Sequence, residues 1–139
     1  MKRALFVAGV ALLSAGFASR QAQHPYRVAF DLTSRDSLDQ KAVVRWIKEV
    51  TTSSPTADIE VVMYAKGFEL VMPDKSTVLA DVQNAIKNPK VSFKVCAIAM
   101  KNNNIEKTQL LPGVQVVPDG IHELVMKQQE NWGYIKAVH

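Results

Sequence analysis

Apolar positions along this chain follow two alternating periods. Residues 26–32 (YRVAFDL) set Val28, Phe30 and Leu32 against Arg27, Ala29 and Asp31, a period of two that predicts a strand with one buried face. After a polar turn at 33–36 the period lengthens. Ser37 and Gln40 have capping-box spacing and open a predicted helix whose apolar face is Ala42, Val43, Trp46, Ile47 and Val50, closed by TTSSPT at 51–56. Residues 59–64 (IEVVMY) form a more continuously apolar run, as expected of a central parallel strand covered on both sides. A second helix is predicted over 76–88, with Val78, Leu79, Val82, Ala85 and Ile86 on one face and Asn88-Pro89 ending it. Residues 92–97 make a third strand that carries Cys96 and then breaks into a polar loop, KNNN at 101–104. About sixteen residues separate it from the fourth strand at 114–117, enough for a crossover helix, although the helical pattern around 105–111 is weak. Pro118-Asp119-Gly120 turns into a last helix, 121–132, with Ile121, Leu124, Val125, Gln128 and Trp132 expected to face inward. Gly133 is expected to stop it, and 134–138 to add a short strand.

Strand and helix alternate throughout, without repeat or linker. That order predicts an α/β fold, an open and mainly parallel sheet with helices on both faces, forming a three-layer sandwich. Ligands of such sheets bind beyond the carboxyl ends of the strands. Those ends are Thr33-Ser34, Ala65-Lys66-Gly67, Cys96 to Asn102, and Asp119-Gly120.

The start of the chain departs from this pattern. Lys2 and Arg3 precede an apolar run, ALFVAGVALL at 4–13, and mostly small residues at 14–18. Residues 1–18 are therefore expected to be a signal peptide cleaved before Ser19, leaving one domain at 19–139 in the periplasm or secreted. The apolar stretch is shorter than the ~20 residues a spanning helix needs, so no membrane association is expected after cleavage. Lys2 and Arg3 also account for part of the excess of 17 basic over 13 acidic residues. The remaining basic residues form no run, which argues against a nucleic-acid partner.

One cysteine in an exported chain has no internal disulfide partner. With no CxxC, no His–Cys cluster, no GxGxxG and no GxxxxGK[ST], neither a metal nor a nucleotide cofactor is expected. Cys96 is the candidate catalytic residue. Lys66 and Lys101 are candidate cations for a thiolate, and His122 is a candidate base at the start of the last helix. Gly67 and Gly120, where strands pass into the next elements, are candidates for close approach to a ligand or for backbone N–H donation to an anion. The competing reading is an inert thiol among apolar neighbours, two ordinary turn glycines and a solvated histidine.

With these elements placed, the chain resembles the DsrE/DsrF-like family in its exported branch. The resemblance rests on VAFDLTSRD, IEVVMYAKGFELVM, FKVCAIAM and LPGVQVVPDGIHELVMKQQENWGYIK, the last being the most specific. It implies a flavodoxin-like sandwich, assembly into homotrimers or hexamers, and a cysteine after a strand that accepts sulfur as a persulfide from a donor protein and passes it to an acceptor. Cys96 occupies the matching position. Many exported relatives have an Asn-Thr pair two and three residues after that cysteine, where this chain has Ile98 and Ala99. Two functions are carried forward: a sulfur-relay carrier using Cys96, and a non-catalytic ligand-binding or assembly module with an inert cysteine.

Overall fold

The computed structural model describes residues 25–138; the leader expected at 1–18 lies outside them. Five strands, β1 (Arg27–Leu32), β2 (Asp58–Met63), β3 (Val91–Cys96), β4 (Gln115–Val117) and β5 (Gly133–Lys136), form one sheet in the order β4-β3-β2-β1-β5. Every pairing is parallel. The helices are α1 (Ser37–Ser53), α2 (Leu79–Ala85), α3 (Ala97–Asn102) and α4 (Gly120–Gln129), with 3-10 turns at Gly67–Val71 and Lys107–Gln109.

The strand order determines which face each helix covers. From β1 to β4 the chain steps in one direction, so right-handed crossovers place α1, α2 and the β3–β4 connection on one face. The return from β4 to β5 runs the other way and lays α4 on the opposite face. On the first face Val28, Phe30, Leu32, Ile59, Val61, Met63, Val91, Phe93 and Val95 join Val43, Ile47 and Val82 in the main core. The second face is different. Ala29, Val62 and Leu124 make a small apolar cluster, and Asp31, Glu60 and Lys94 share that side of the sheet.

Several local expectations need correction. Helix α1 is capped by Asp36, whose carboxylate accepts from Leu38 N at 2.7 Å, and Gln40 turns inward. Its Oε1 accepts from Thr77 N and Thr77 Oγ1, both at 2.9 Å, tying α1 to the segment before α2. The expected polar loop after Cys96 is instead helix α3, which starts at once with Cys96 as its N-cap. On α4 only Gly120 and Leu124 are buried; Ile121 (58% exposed) and Val125 (45%) point outward. The cause is the polar sheet face below, which takes up charged side chains from the helix and leaves little apolar area to cover. The helix is stopped by Asn131, with φ 63, in place of Gly133, which opens β5. Asn131 N donates to Gln128 O and Trp132 N to Lys127 O, each at 3.0 Å, the paired bonds of a Schellman stop.

Candidate functional site

Chains that leave adjacent parallel strands toward opposite faces open a crevice between them. Here that happens between β3, followed by α3 on the main-core face, and β4, followed by α4 on the other. A cavity of about 280 Å³ occupies this crevice, lined by Tyr64, Ala65, Cys96, Ile98, Ala99, Asn102, Asn103, Asp119 and Ile121. Cys96 is a free thiol, 4% exposed, at the base of the crevice.

Backbone geometry shapes the walls. Ala65 follows β2 with φ 50, a left-handed conformation that costs a non-glycine residue about 1 kcal/mol. It lets Lys66 N donate to Thr33 O at 3.1 Å and Gly67 N to Tyr64 O at 2.9 Å. A Cβ on Gly67 would lie 1.9 Å from Leu32 O, so the turn is packed directly against the end of β1. A Cβ on Gly120 would lie 3.2 Å from Cys96 Cβ and 3.3 Å from Tyr64 Cβ. The start of α4 therefore rests on the cysteine itself.

The other candidate residues are placed as follows. Lys66 Nζ donates to Asn103 Oδ1, and Asn103 Nδ2 donates to Ala99 O at 2.7 Å, which braces the rim of the cavity. Lys101 and His122 are exposed and do not line it. The N-terminal amide of α4 at Ile121 is taken by the Asp119 carboxylate at 2.9 Å, so that helix end already holds an anionic group. Among the described residues no group of three or more His, Cys, Asp or Glu could hold a metal, and no helix is long and apolar enough to cross a membrane.

Two polar networks flank the cavity, and neither was among the candidates. In the first, Asp31 Oδ2 accepts from Tyr134 OH at 2.6 Å, Tyr64 OH at 3.3 Å and Lys136 Nζ at 3.2 Å. The hydrogen bond to Asp31 pushes the Tyr134 hydroxyl up to about 12. Burial and the Asp31 charge raise that of Tyr64. This network holds the tyrosine that forms one cavity wall.

In the second, Lys94 Nζ bridges Glu60 Oε2 at 2.8 Å and Glu123 Oε1 at 2.7 Å. Lys127 reaches the same two atoms at 3.5 and 3.7 Å, and lies 4.7 Å from the centroid of the Trp132 ring. Burial pushes the Glu60 carboxyl up despite both lysines, and its hydrogen bond with Glu123 adds to the rise. Glu123 moves down: burial opposes this, but hydrogen bonding to Lys94 and Glu60 and the charges of Lys94 and Lys127 outweigh it. Glu60 Oε1 is buried and meets no hydrogen-bond partner. For Lys94, burial pulls the ammonium down, and its bonds to Glu123 and Glu60 more than reverse that. A signal for these groups was present in the chain. Glu60 stands alone among apolar residues in IEVVMY, and Lys94 does so in FKVC.

Comparison with known proteins gives a consistent answer. The chain is similar in structure to a protein of unknown function, MTH1491, from Methanobacterium thermoautotrophicum, with a TM-score of 0.75 and 28% identity. The match covers 80% of this chain and 98% of that one. No curated protein matches the chain. The profile described as the DsrE/DsrF-like family matches residues 10–137, nearly the whole sequence, and the five-stranded parallel sandwich agrees with the flavodoxin-like fold expected of it. The chain belongs to the DsrE/DsrF-like family.

Proposed function

We propose that the protein is an exported sulfur-relay component in which Cys96 carries sulfur as a persulfide. The observation that carries this reading is the position of the thiol on the wall of the cavity at the β3–β4 crevice. In the transfer step the Cys96 thiolate attacks the outer sulfur of a donor persulfide. The new S–S bond forms on Cys96 as the donor's S–S bond breaks, and the donor leaves as a thiolate that takes up a proton. The ~280 Å³ cavity has room for the added sulfur, and Ile98, Ala99 and Ile121 give it a partly apolar lining. Export is supported by the charged and then apolar start of the chain. Intact-mass measurement after treatment with a persulfide donor tests the proposal: the wild type gains sulfur that a reductant removes, and Cys96→Ser gains none. A wild type that gains no sulfur overturns it.

A second reading is a non-catalytic binding or assembly module with an inert cysteine. The observation that favours it is the thiol's 4% exposure beneath Gly120. Both readings accommodate self-association into a homotrimer or hexamer, supported by Ile98 (51% exposed) and Ile121 standing outward at the crevice and by exposed Val125 one turn further along α4. Sedimentation of the wild type as a monomer removes that part.

A further inference from the structure

We propose that the Lys94–Glu123 ion pair is a positioning device for the cysteine cavity, holding α4 at the one point along β3 where Gly120 closes over Cys96. Lys94 and Cys96 are two residues apart on β3 and therefore point to the same side of the sheet. Glu123 and Gly120 are three apart on α4 and therefore share a face of the helix. The bond of 2.7 Å between Lys94 Nζ and Glu123 Oε1 and the contact of Gly120 with Cys96 Cβ are thus two teeth of one register. Sliding α4 by a turn breaks both.

Apolar packing does not hold that register. Of α4 only Gly120 and Leu124 are buried, and the cluster under Leu124 is limited to Ala29, Val62 and part of Tyr64. Apolar contact is non-directional and tolerates sliding, whereas a desolvated ion pair with fixed partners does not. Glu60 and Lys127 complete the set: Glu60 lies beneath Lys94 from β2, and Lys127 reaches it from the next turn of α4. The side chains of Lys94, Glu123 and Lys127 are each less than one-fifth exposed, so water does not substitute freely for a lost partner. Lys94 and Glu123 act through α4 and do not touch the sulfur.

The inference rests on the sulfur-carrier reading for its purpose, but its test uses the thiol alone. Cys96 is the single cysteine, so the mass of the intact chain reads its alkylation by iodoacetamide under native conditions. Lys94→Met and Glu123→Gln are expected to alkylate about tenfold faster than the wild type or more, through more frequent displacement of α4. Lys94→Arg keeps the charge and is expected to stay within about twofold of the wild type. Val43→Ala, which opens a hole in the main core on the other face, controls for lost stability and is expected not to accelerate labelling. Glu123→Gln keeps the side-chain shape and an acceptor for Lys94, so the comparison stands even if Lys94→Met does not fold. Glu123→Gln labelling at the wild-type rate overturns the proposal, as does equal acceleration by Val43→Ala. If instead the wild type takes up no sulfur while these rates behave as expected, the carrier reading fails and the positioning role remains.

Discussion

Gly67 and Gly120 both stand where a strand hands over to the next element, yet their neighbours predict different responses to one added methyl group. At Gly67 the intruding atom would meet Leu32 O at 1.9 Å, a backbone oxygen held at the end of β1. Neither partner can yield without unpicking the strand. Gly67→Ala is expected to lose about 3 kcal/mol of stability or more, measured by urea unfolding. At Gly120 the methyl would meet Cβ atoms at 3.2 and 3.3 Å, distances that a few tenths of an ångström of helix movement would relieve. Gly120→Ala is expected to cost about 1 kcal/mol and to change the alkylation rate of Cys96, whereas Gly67→Ala acts on stability alone. A Gly120→Ala protein with unaltered thiol labelling would show that α4 does not govern access to the sulfur. Sequence could nominate both glycines because each sits at a strand end. It could not separate them, because the distinction depends on which atoms another segment brings within 4 Å.

The elements themselves were largely readable, and the exceptions have a common cause. Strands and α1 carry strong periods, and the main-core face is assembled from the residues that those periods select. Where polar side chains are buried, period ceases to report orientation. The capping-box spacing of Ser37 and Gln40 points to Ser37 as the cap, but Asp36 caps α1 and Gln40 is buried and bonded to Thr77. On α4 the apolar spacing pointed Ile121 and Val125 inward, but the sheet beneath offers Glu60 and Lys94, which attract Glu123 and Lys127 instead. Asn102, Asn103 and Asn104 are poor helix formers and point to a loop at α3, yet the first turn at Ala97–Met100 buries Ala99 and Met100 in the core and sustains the helix. These assignments can be tested at Gln40. Gln40→Leu removes the buried acceptor of two part-buried bonds, from Thr77 N–H and Oγ1–H, that tie α1 to the segment before α2, and at roughly 1 kcal/mol for each is expected to destabilise by about 2 kcal/mol. A surface cap would lose only about 1 kcal/mol or less, and Asp36→Ala supplies that comparison by thermal melting.

Taken as a sandwich, the protein has one apolar layer contact and one ionic one, and pH separates them. Burial holds the Glu60 carboxyl above its ordinary 4.5, so folded protein binds this proton more tightly than unfolded protein does. The stability contributed by Glu60 is therefore fully present below about 4.5 and is lost as pH rises through its raised value. Glu123 is held below 4.5, so its contribution is present above that value and is lost as pH falls through the lowered one. The two acids thus oppose each other, and the sum hides both. Glu60→Gln isolates the first: the amide resembles the protonated carboxyl at every pH and removes the charge that burial penalises. Relative to the wild type, Glu60→Gln is expected to melt at a temperature that improves as pH is raised through the raised value of Glu60, because only the wild type must ionise that group there. Glu123→Gln is expected to show the opposite slope on the acid side, with its deficit shrinking as pH falls toward the lowered value of Glu123. Trp132, stacked against Lys127, gives a local readout of the same titration through its emission once Trp46 is replaced by Phe. A pH-independent difference between Glu60→Gln and the wild type would mean that Glu60 ionises normally under α4. The attraction of Lys94 and Lys127 would then offset the whole burial penalty of that carboxylate.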